Sequence, residues 1–270
     1  MKPRRISALR DAAVTIAVNA GRAILRIPLD SADAVKKDDG SPVTRADRAA
    51  HDVILAGLSE IKPCFPVVSE EGDLTRLHEA PPTTFWLVDP LDGTKEFLKG
   101  LGEYTVNVAL VVDGDPVLGV VFAPALDQLF DAAQRLGARK TDKGVVTTVA
   151  ARRLDRAKTA VVSRSHLTEQ TERFLSRLGV REVVHRGSSL KLCAVAEGAA
   201  DLYPRFGPTR LWDTAAGAAI ARETGCHVVD LAGRPLRYDL GAGLAHDGFL
   251  VCASDAVLRA CLTARARLSE

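Results

Sequence analysis

The sequence predicts an α/β protein, α+β in its N-terminal half and α/β in its C-terminal half. Three observations carry this. Apolar residues recur at spacings of three and four between Ile6 and Ile61, the mark of amphipathic helices. Apolar runs rich in β-branched residues then follow one another from Phe65 to Pro124, which reads as consecutive strands. From about residue 158 strand-like and helix-like segments alternate to the end of the chain.

In order along the chain, Ile6, Leu9, Ala13, Ile16, Ala20, Ile24 and Ile27 form the first helical stripe, closed by Pro28. A polar turn, KKDDGSPVT, precedes a second helix, announced by Thr44 with Asp47 three residues later in a capping-box pattern. Ala50, Val53, Ile54, Leu58 and Ile61 supply its apolar face. FPVVS, TFWLVDP, YTVNVALVVDG and PVLGVVFAP read as strands, the last two joined by a turn at Asp113-Gly114-Asp115-Pro116. QRLGARKTDKG, residues 134–144, reads as an exposed, charged loop between strands. Then come strand TAVVSRS, helix TEQTERFLSRLG, strand EVVHRG, helix SLKLCAVAEGAA, the DLYPRF segment, a helix around DTAAGAAIARETG, strands CHVVD and GFLVCAS, and a closing helix from Asp255. With no Gly/Ser linker, the two halves, 1–157 and 158–270, are expected to meet at a tight junction, a favoured place for a ligand site.

The bulk numbers exclude several classes of function. The 270 residues carry a net charge of only +2, with Lys and Arg scattered, so no nucleic-acid polymer is expected as partner. No apolar run reaches the roughly 18 residues of a membrane span and no signal-peptide core is visible, so a cytoplasmic protein is expected. Five cysteines without metal-like spacing read as small buried hydrophobes.

Chemistry concentrates in carboxylates at segment ends: Asp47, Glu70, Asp89, Asp92 and Asp213. Any one of them alone reads as a helix cap or a solvated turn. Asp89 and Asp92 differ, because the apolar FWLV run leads the chain into them and a buried carboxylate needs a compensating partner. A hard divalent cation such as Mg2+ is such a partner, and D-P-L-D offers two carboxylates and the Leu91 carbonyl to it, with Pro90 stiffening the backbone. Gly93 and Thr94 then open what reads as a helix N-terminus, suited to a phosphate. Glu70 would join from a neighbouring strand, and Asp213 from the start of a helix.

The series Ser69-Glu70-Glu71, Asp89-Pro90-Leu91-Asp92-Gly93-Thr94 and Trp212-Asp213-Thr214-Ala215-Ala216-Gly217, in that order, resembles the inositol monophosphatase superfamily of lithium-sensitive, magnesium-dependent phosphatases. The resemblance runs from about Lys36 to the last strands. Lys95-Glu96-Phe97, SRSH at 163–166, GSSLKLCAVAEGAADLYPR at 187–205 and FGPTRLWDTAAG at 206–217 are similar to its CysQ-type 3′(2′),5′-bisphosphate nucleotidase branch, which converts adenosine 3′,5′-bisphosphate to AMP and phosphate.

The resemblance implies the layered αβαβα sugar-phosphatase fold, with most metal ligands in 1–157 and the substrate residues and last ligand in 158–270. It implies two or three Mg2+ ions held by Glu70, Asp89, Asp92, Asp213 and the Leu91 carbonyl, a third ion lying near Lys36 to Asp39. Thr94, paired with Asp47, would orient and help deprotonate the attacking water. Gly93, Thr94 and Asp213 would face the substrate, while Ser188, Lys191, Arg205 and His166 would bind a second phosphate on the side away from the metals. Tyr203 reads as packing rather than a base contact. The expected partner is a small nucleotide, with the sulfated precursor 3′-phosphoadenosine 5′-phosphosulfate as a further substrate, and a homodimer stays open. An inositol or sugar-phosphate phosphatase of the same superfamily, and a catalytically silent nucleotide-binding scaffold, are the competing readings.

Overall fold

The computed structural model describes residues 2–28, 35–36, 42–75, 81–164 and 167–266. Helix α1 (Pro3–Leu25) buries Ile6, Leu9, Ala13, Ile16, Ala20 and Ile24, the expected stripe. It stops before Ile27, since a residue that precedes proline is pushed out of helical backbone by the ring of Pro28. A two-residue ribbon, β1 (Val35–Lys36) with β2 (Pro42–Val43), leads to α2 (Arg45–Ser59). The capping box is present there: the Thr44 backbone N–H donates to Asp47 Oδ2 at 2.7 Å.

Strands β3 (Val67–Ser69) and β4 (Thr84–Asp92) follow. After the one-turn helix α3 (Thr94–Leu98) come β5 (Thr105–Val112), β6 (Asp115–Ala123), β7 (Gln128–Ala133), β8 (Ala138–Asp142) and β9 (Val145–Val149). They form a seven-stranded sheet in sequence order, β3 parallel to β4 and every later pair antiparallel. The loop expected over 134–144 is therefore corrected: its middle, Ala138–Asp142, is strand β8, paired on both sides. Its charges misled because they are bonded rather than solvated. Arg139 meets the buried Asp131 at 2.8 Å, and Lys140 meets Glu197 at 2.8 Å.

The remaining strands, β10 (Thr159–Ser163), β11 (Glu182–Arg186), β12 (Leu202–Arg210), β13 (His227–Asp230) and β14 (Ala245–Cys252), form a second sheet in the order β11-β10-β12-β14-β13. Helices α4 (Glu169–Arg177), α5 (Leu190–Ala196), α6 (Leu211–Glu223) and α7 (Asp255–Ala266) fall between and after them.

Three cores stack these elements into five layers. Trp86, Val88, Val108 and Leu110 on one face of the first sheet pack on α1 and α2. Phe85, Leu87, Ala109 and Val111 on the opposite face pack, through α5 and α6, on Val161, Tyr203, Phe249 and Val251 of the second sheet. The far side of that sheet, Val162, Leu202, Leu250 and Cys252, is covered by Phe174 of α4 and by Val257 and Cys261 of α7. The strand alternation of inward and outward side chains thus produces an αβαβα sandwich. No helix among the described residues is long and apolar enough to cross a membrane.

Helix α6 is the middle layer, buried between two sheets, which explains its run of Ala and Gly in place of a one-sided stripe. A Cβ placed on Gly119 of β6 would lie 2.2 Å from the Ala216 carbonyl oxygen, so the helix backbone rests directly on the sheet. Gly119→Ala is expected to destabilise the fold by about 1–3 kcal/mol, the usual cost of overpacking, and a thermal melt reads it. An unchanged melting temperature would contradict this backbone contact.

Candidate active site

The C-terminal end of β4 builds the site. Asp89 pairs with Asn107 of β5 and Asp92 with Thr105, so three steps on β4 oppose two on β5: the strand bulges at Pro90-Leu91. Proline has no N–H to give to a ladder, so this is where pairing yields most easily. The bulge turns both carboxylates towards one cleft, and the freed Leu91 N–H donates to Asp89 Oδ1 at 3.0 Å. Gly93 follows at φ 91°, a left-handed conformation open to glycine, and starts α3 with Thr94 as its first residue.

Glu70 sits in the turn after β3, its backbone N–H held by the Val88 carbonyl at 3.2 Å. Asp213 is the third residue of α6 rather than its cap, a position now held by Arg210. One carboxylate oxygen from each of Glu70, Asp89 and Asp213 lies within 4.8 Å of the other two. Asp92 stands beside this trio and adds to the negative field on both Asp89 and Asp213. Burial raises the Asp89 pKa well above the carboxylate range, with Glu70 and Asp92 adding to it, and burial followed by Asp92 and Glu70 does the same to Asp213. Such a cluster of hard oxygens, with Asp89 buried and Glu70 and Asp213 half-buried at the cleft, fits a divalent cation of the magnesium class.

Thr94 Oγ1 donates to Asp47 Oδ1 at 3.2 Å, joining α3 to the start of α2. Asp47 is itself buried, and its other oxygen accepts from the Thr44 N–H and hydroxyl. Desolvation raises its pKa, and these hydrogen bonds oppose the rise.

Lys191, Tyr203 and Arg205 line the same cleft of about 320 Å3. Lys191 Nζ donates to the Ser188 carbonyl at 2.5 Å and lies 5.7 Å from the centre of the Tyr203 ring. Its burial lowers its pKa, against the pull of Asp92 and Glu96. Arg205 Nε donates to Thr209 Oγ1 at 3.2 Å. Tyr203 packs edge-on against Phe249, in keeping with a packing residue. Ser188 is not where it was expected: its hydroxyl lies 2.6 Å from Asp92 Oδ2, beside the carboxylates rather than away from them. The chain reverses at Ser188 with φ 54°, which swings the side chain back towards β4. His166, residues 37–39 and the Lys36 side chain lie outside the described residues.

Sequence reasoning missed three polar residues under the carboxylates. Ser189 lies 3.1 Å from Asp92 Oδ2 and bonds the Asp213 carbonyl at 2.6 Å, while Thr105 and Asn107 of β5 bond Ser188 and Ser189. A signal existed in YTVNV, where two polar residues at period two point to one face of an otherwise apolar strand.

A model of the inositol monophosphatase family matches residues 6–267. The chain belongs to the inositol monophosphatase family. Among curated family members, the 3′(2′),5′-bisphosphate nucleotidase CysQ of Escherichia coli K12 is 47% identical over 246 residues, 89% of this chain and 98% of that protein. The CysQ of Buchnera aphidicola is 41% identical over 219 residues, 80% of this chain and 82% of that protein. Among solved structures of the family's fold, CysQ from Bacteroides thetaiotaomicron superposes with a TM-score of 0.79 at 42% identity, covering 91% of this chain and 97% of that one. The extragenic suppressor protein SuhB of Bartonella henselae also gives 0.79, at 28% identity, covering 96% and 98%.

The raised carboxylate pKa values set a pH dependence for the metal-free protein. A group whose folded pKa is raised holds a proton that the unfolded chain releases, so its contribution to stability is complete below the ordinary carboxylate range and is lost as pH rises through the folded value. Asp213→Asn removes that loss and is expected to melt higher than wild type in EDTA at about pH 8, with the gap closing towards about pH 4. A variant that melts lower at the alkaline end would show that the cluster is not strained.

Proposed function

We propose that the protein is a 3′(2′),5′-bisphosphate nucleotidase that removes the 3′-phosphate of adenosine 3′,5′-bisphosphate, leaving AMP and inorganic phosphate. The observation that carries the reading is 47% identity to CysQ nucleotidases across nearly their whole length. The cleft supports it, because acidic and cationic side chains line one space suited to a small phosphorylated molecule.

Glu70, Asp89, Asp92, Asp213 and the Leu91 carbonyl would hold two or three Mg2+ ions. When bound, these supply positive charge for the scissile phosphate and acidify a water. The chain's own groups do the rest. Thr94 spends its hydroxyl proton on Asp47, so its oxygen lone pairs are free to accept from the water and aim it in line with the phosphorus. Asp47, biased towards protonation by burial, is the end of that two-step relay. The Gly93-Thr94 turn presents backbone N–H groups to the scissile phosphate.

Lys191 and Arg205 bring two cations to the cleft for the second phosphate, with the Tyr203 ring under Lys191. Ser188 keeps a place at the cleft, held on Asp92. On this reading residues 1–157 contribute most of the cation ligands, while 158–270 contribute Asp213 and the substrate-facing residues. The sulfated precursor 3′-phosphoadenosine 5′-phosphosulfate, alike at its 3′-phosphate, is a second substrate of the same cleft.

Phosphate release with Mg2+ from adenosine 3′,5′-bisphosphate, inositol 1-phosphate and fructose 1,6-bisphosphate tests the assignment. A kcat/KM at least about tenfold higher for the nucleotide, worth about 1.4 kcal/mol in transition-state binding, is expected. Preference for inositol 1-phosphate would move the protein to the inositol branch of the family, and silence towards all three would make it a binding scaffold.

A further inference from the structure

Asp92 and Asp213 belong to different layers, β4 and α6, yet one hydrogen-bonded chain ties them together from behind. Ser189 Oγ lies 3.1 Å from Asp92 Oδ2 and 2.6 Å from the Asp213 carbonyl. Ser188 Oγ lies 2.6 Å from the same Asp92 oxygen and 3.1 Å from the Asp92 carbonyl. Beneath them, Asn107 Nδ2 donates to Ser189 Oγ at 2.9 Å. Thr105 Oγ1 lies 2.6 Å from Ser188 Oγ and 3.0 Å from Asn107 Oδ1. Thr105 and Asn107 are wholly buried, out of reach of any substrate.

We propose that Thr105 and Asn107 are positioning residues, which aim the Asp92 carboxylate and anchor the first turn of α6 so that the acidic cluster takes its divalent cation tightly. This rests on the cation-binding part of the functional reading and adds residues that touch neither ion nor substrate.

Proton counting gives the chain a direction. An ionised carboxylate only accepts, and each hydroxyl carries a single proton. At 2.6 Å the Ser188 proton goes to Asp92 Oδ2, and the Thr105 proton is shared between Ser188 Oγ at 2.6 Å and Asn107 Oδ1 at 3.0 Å. The Asn107 amide donates to Ser189, whose own proton is then free for the Asp213 carbonyl and Asp92. Both branches therefore point at the acidic pair and polarise one another towards it. Without them the Asp92 carboxylate loses the two hydroxyls that lie against its Oδ2. The left-handed backbone of Ser188, uncommon for a residue with a Cβ, marks where the fold accepts strain to bring that hydroxyl into place.

A merely structural cross-link between the first sheet and the helices packed on it would affect stability alone, and direct cation binding separates the two roles. Mn2+ binding to the substrate-free protein is measured by titration calorimetry for wild type, Thr105→Val, Thr105→Ser and Ser189→Ala, with melting in EDTA recorded for each. Thr105→Val keeps shape and deletes the hydroxyl. Its Mn2+ dissociation constant is expected to rise about 10-fold or more, the scale seen when the hydrogen-bond support of metal ligands is removed. Thr105→Ser, which restores the hydroxyl, is expected to bind as wild type does, and Ser189→Ala, which breaks the other branch by deleting one atom, is expected to weaken binding on the same scale.

A dissociation constant for Thr105→Val within about twofold of wild type would overturn the proposal, and so would equal weakening by Thr105→Ser. Should Thr105→Val fail to fold, unchanged Mn2+ affinity in Ser189→Ala overturns it instead. Wild type that binds no Mn2+ brings down the cation reading and this proposal together. Wild type that binds Mn2+ and releases no phosphate from the nucleotide overturns the substrate assignment alone.

Discussion

Crowding of carboxylates around the buried Asp89 is the constraint around which this chain is arranged. Oxygens of Glu70, Asp89 and Asp213 stand within 4.8 Å of one another where burial already disfavours charge. A folded protein keeps such an arrangement only if something else profits from it, and a hard cation that carries and activates phosphate is what these donors suit. Three local irregularities of the fold stand at this point: the bulge that breaks β4 between Asp89 and Asp92, the left-handed Gly93, and the left-handed Ser188 beside Asp92. Each redirects a chain that would otherwise continue a regular element away from the site.

Bringing Asp213 to Asp89 requires the two sheets to share a helix. Helix α6 lies between them, and its Thr-Ala-Ala-Gly-Ala-Ala run is what lets both sheets approach. At Gly217 a Cβ would stand 2.7 Å from the Leu192 Cβ, and at Gly119 it would strike the α6 backbone itself. Packing and chemistry are thus coupled through one element: the small residues that seat the helix follow directly on the aspartate that completes the cluster. Glu70, Asp89 and Asp92 come to the cleft from the ends of β3 and β4, and Lys191 and Arg205 come to it from α5 and β12.

Much of this was legible in the sequence because the relevant signals are local. The Thr44/Asp47 capping box, the stripes of α1 and α2, and carboxylates placed just after apolar runs all sit within a few residues of their causes. The family resemblance drawn from those acidic motifs agrees with the αβαβα layering of the three cores. What was missed depends on partners distant in sequence. Strand β8 looked like a solvated loop because Arg139 and Lys140 are satisfied by Asp131 and by Glu197, the latter 57 residues away. Ser188 was placed away from the carboxylates because its contact with Asp92 spans 96 residues. Thr105 and Asn107 carry no motif at all, only a polar period of two inside an apolar strand.

The acidic cluster is poised for a cation, and burial and crowding bias its Asp89 and Asp213 carboxyls towards protonation in the cation's absence. Calorimetric titration of Mn2+ in two buffers of different ionisation enthalpy, at about neutral pH, counts the protons released on binding. The account predicts net release, because carboxyl groups whose pKa values are raised by burial and by one another must give up protons to become ligands. Tight binding with no proton released would contradict it, showing that the cluster is already ionised and that its crowding is not what the cation relieves.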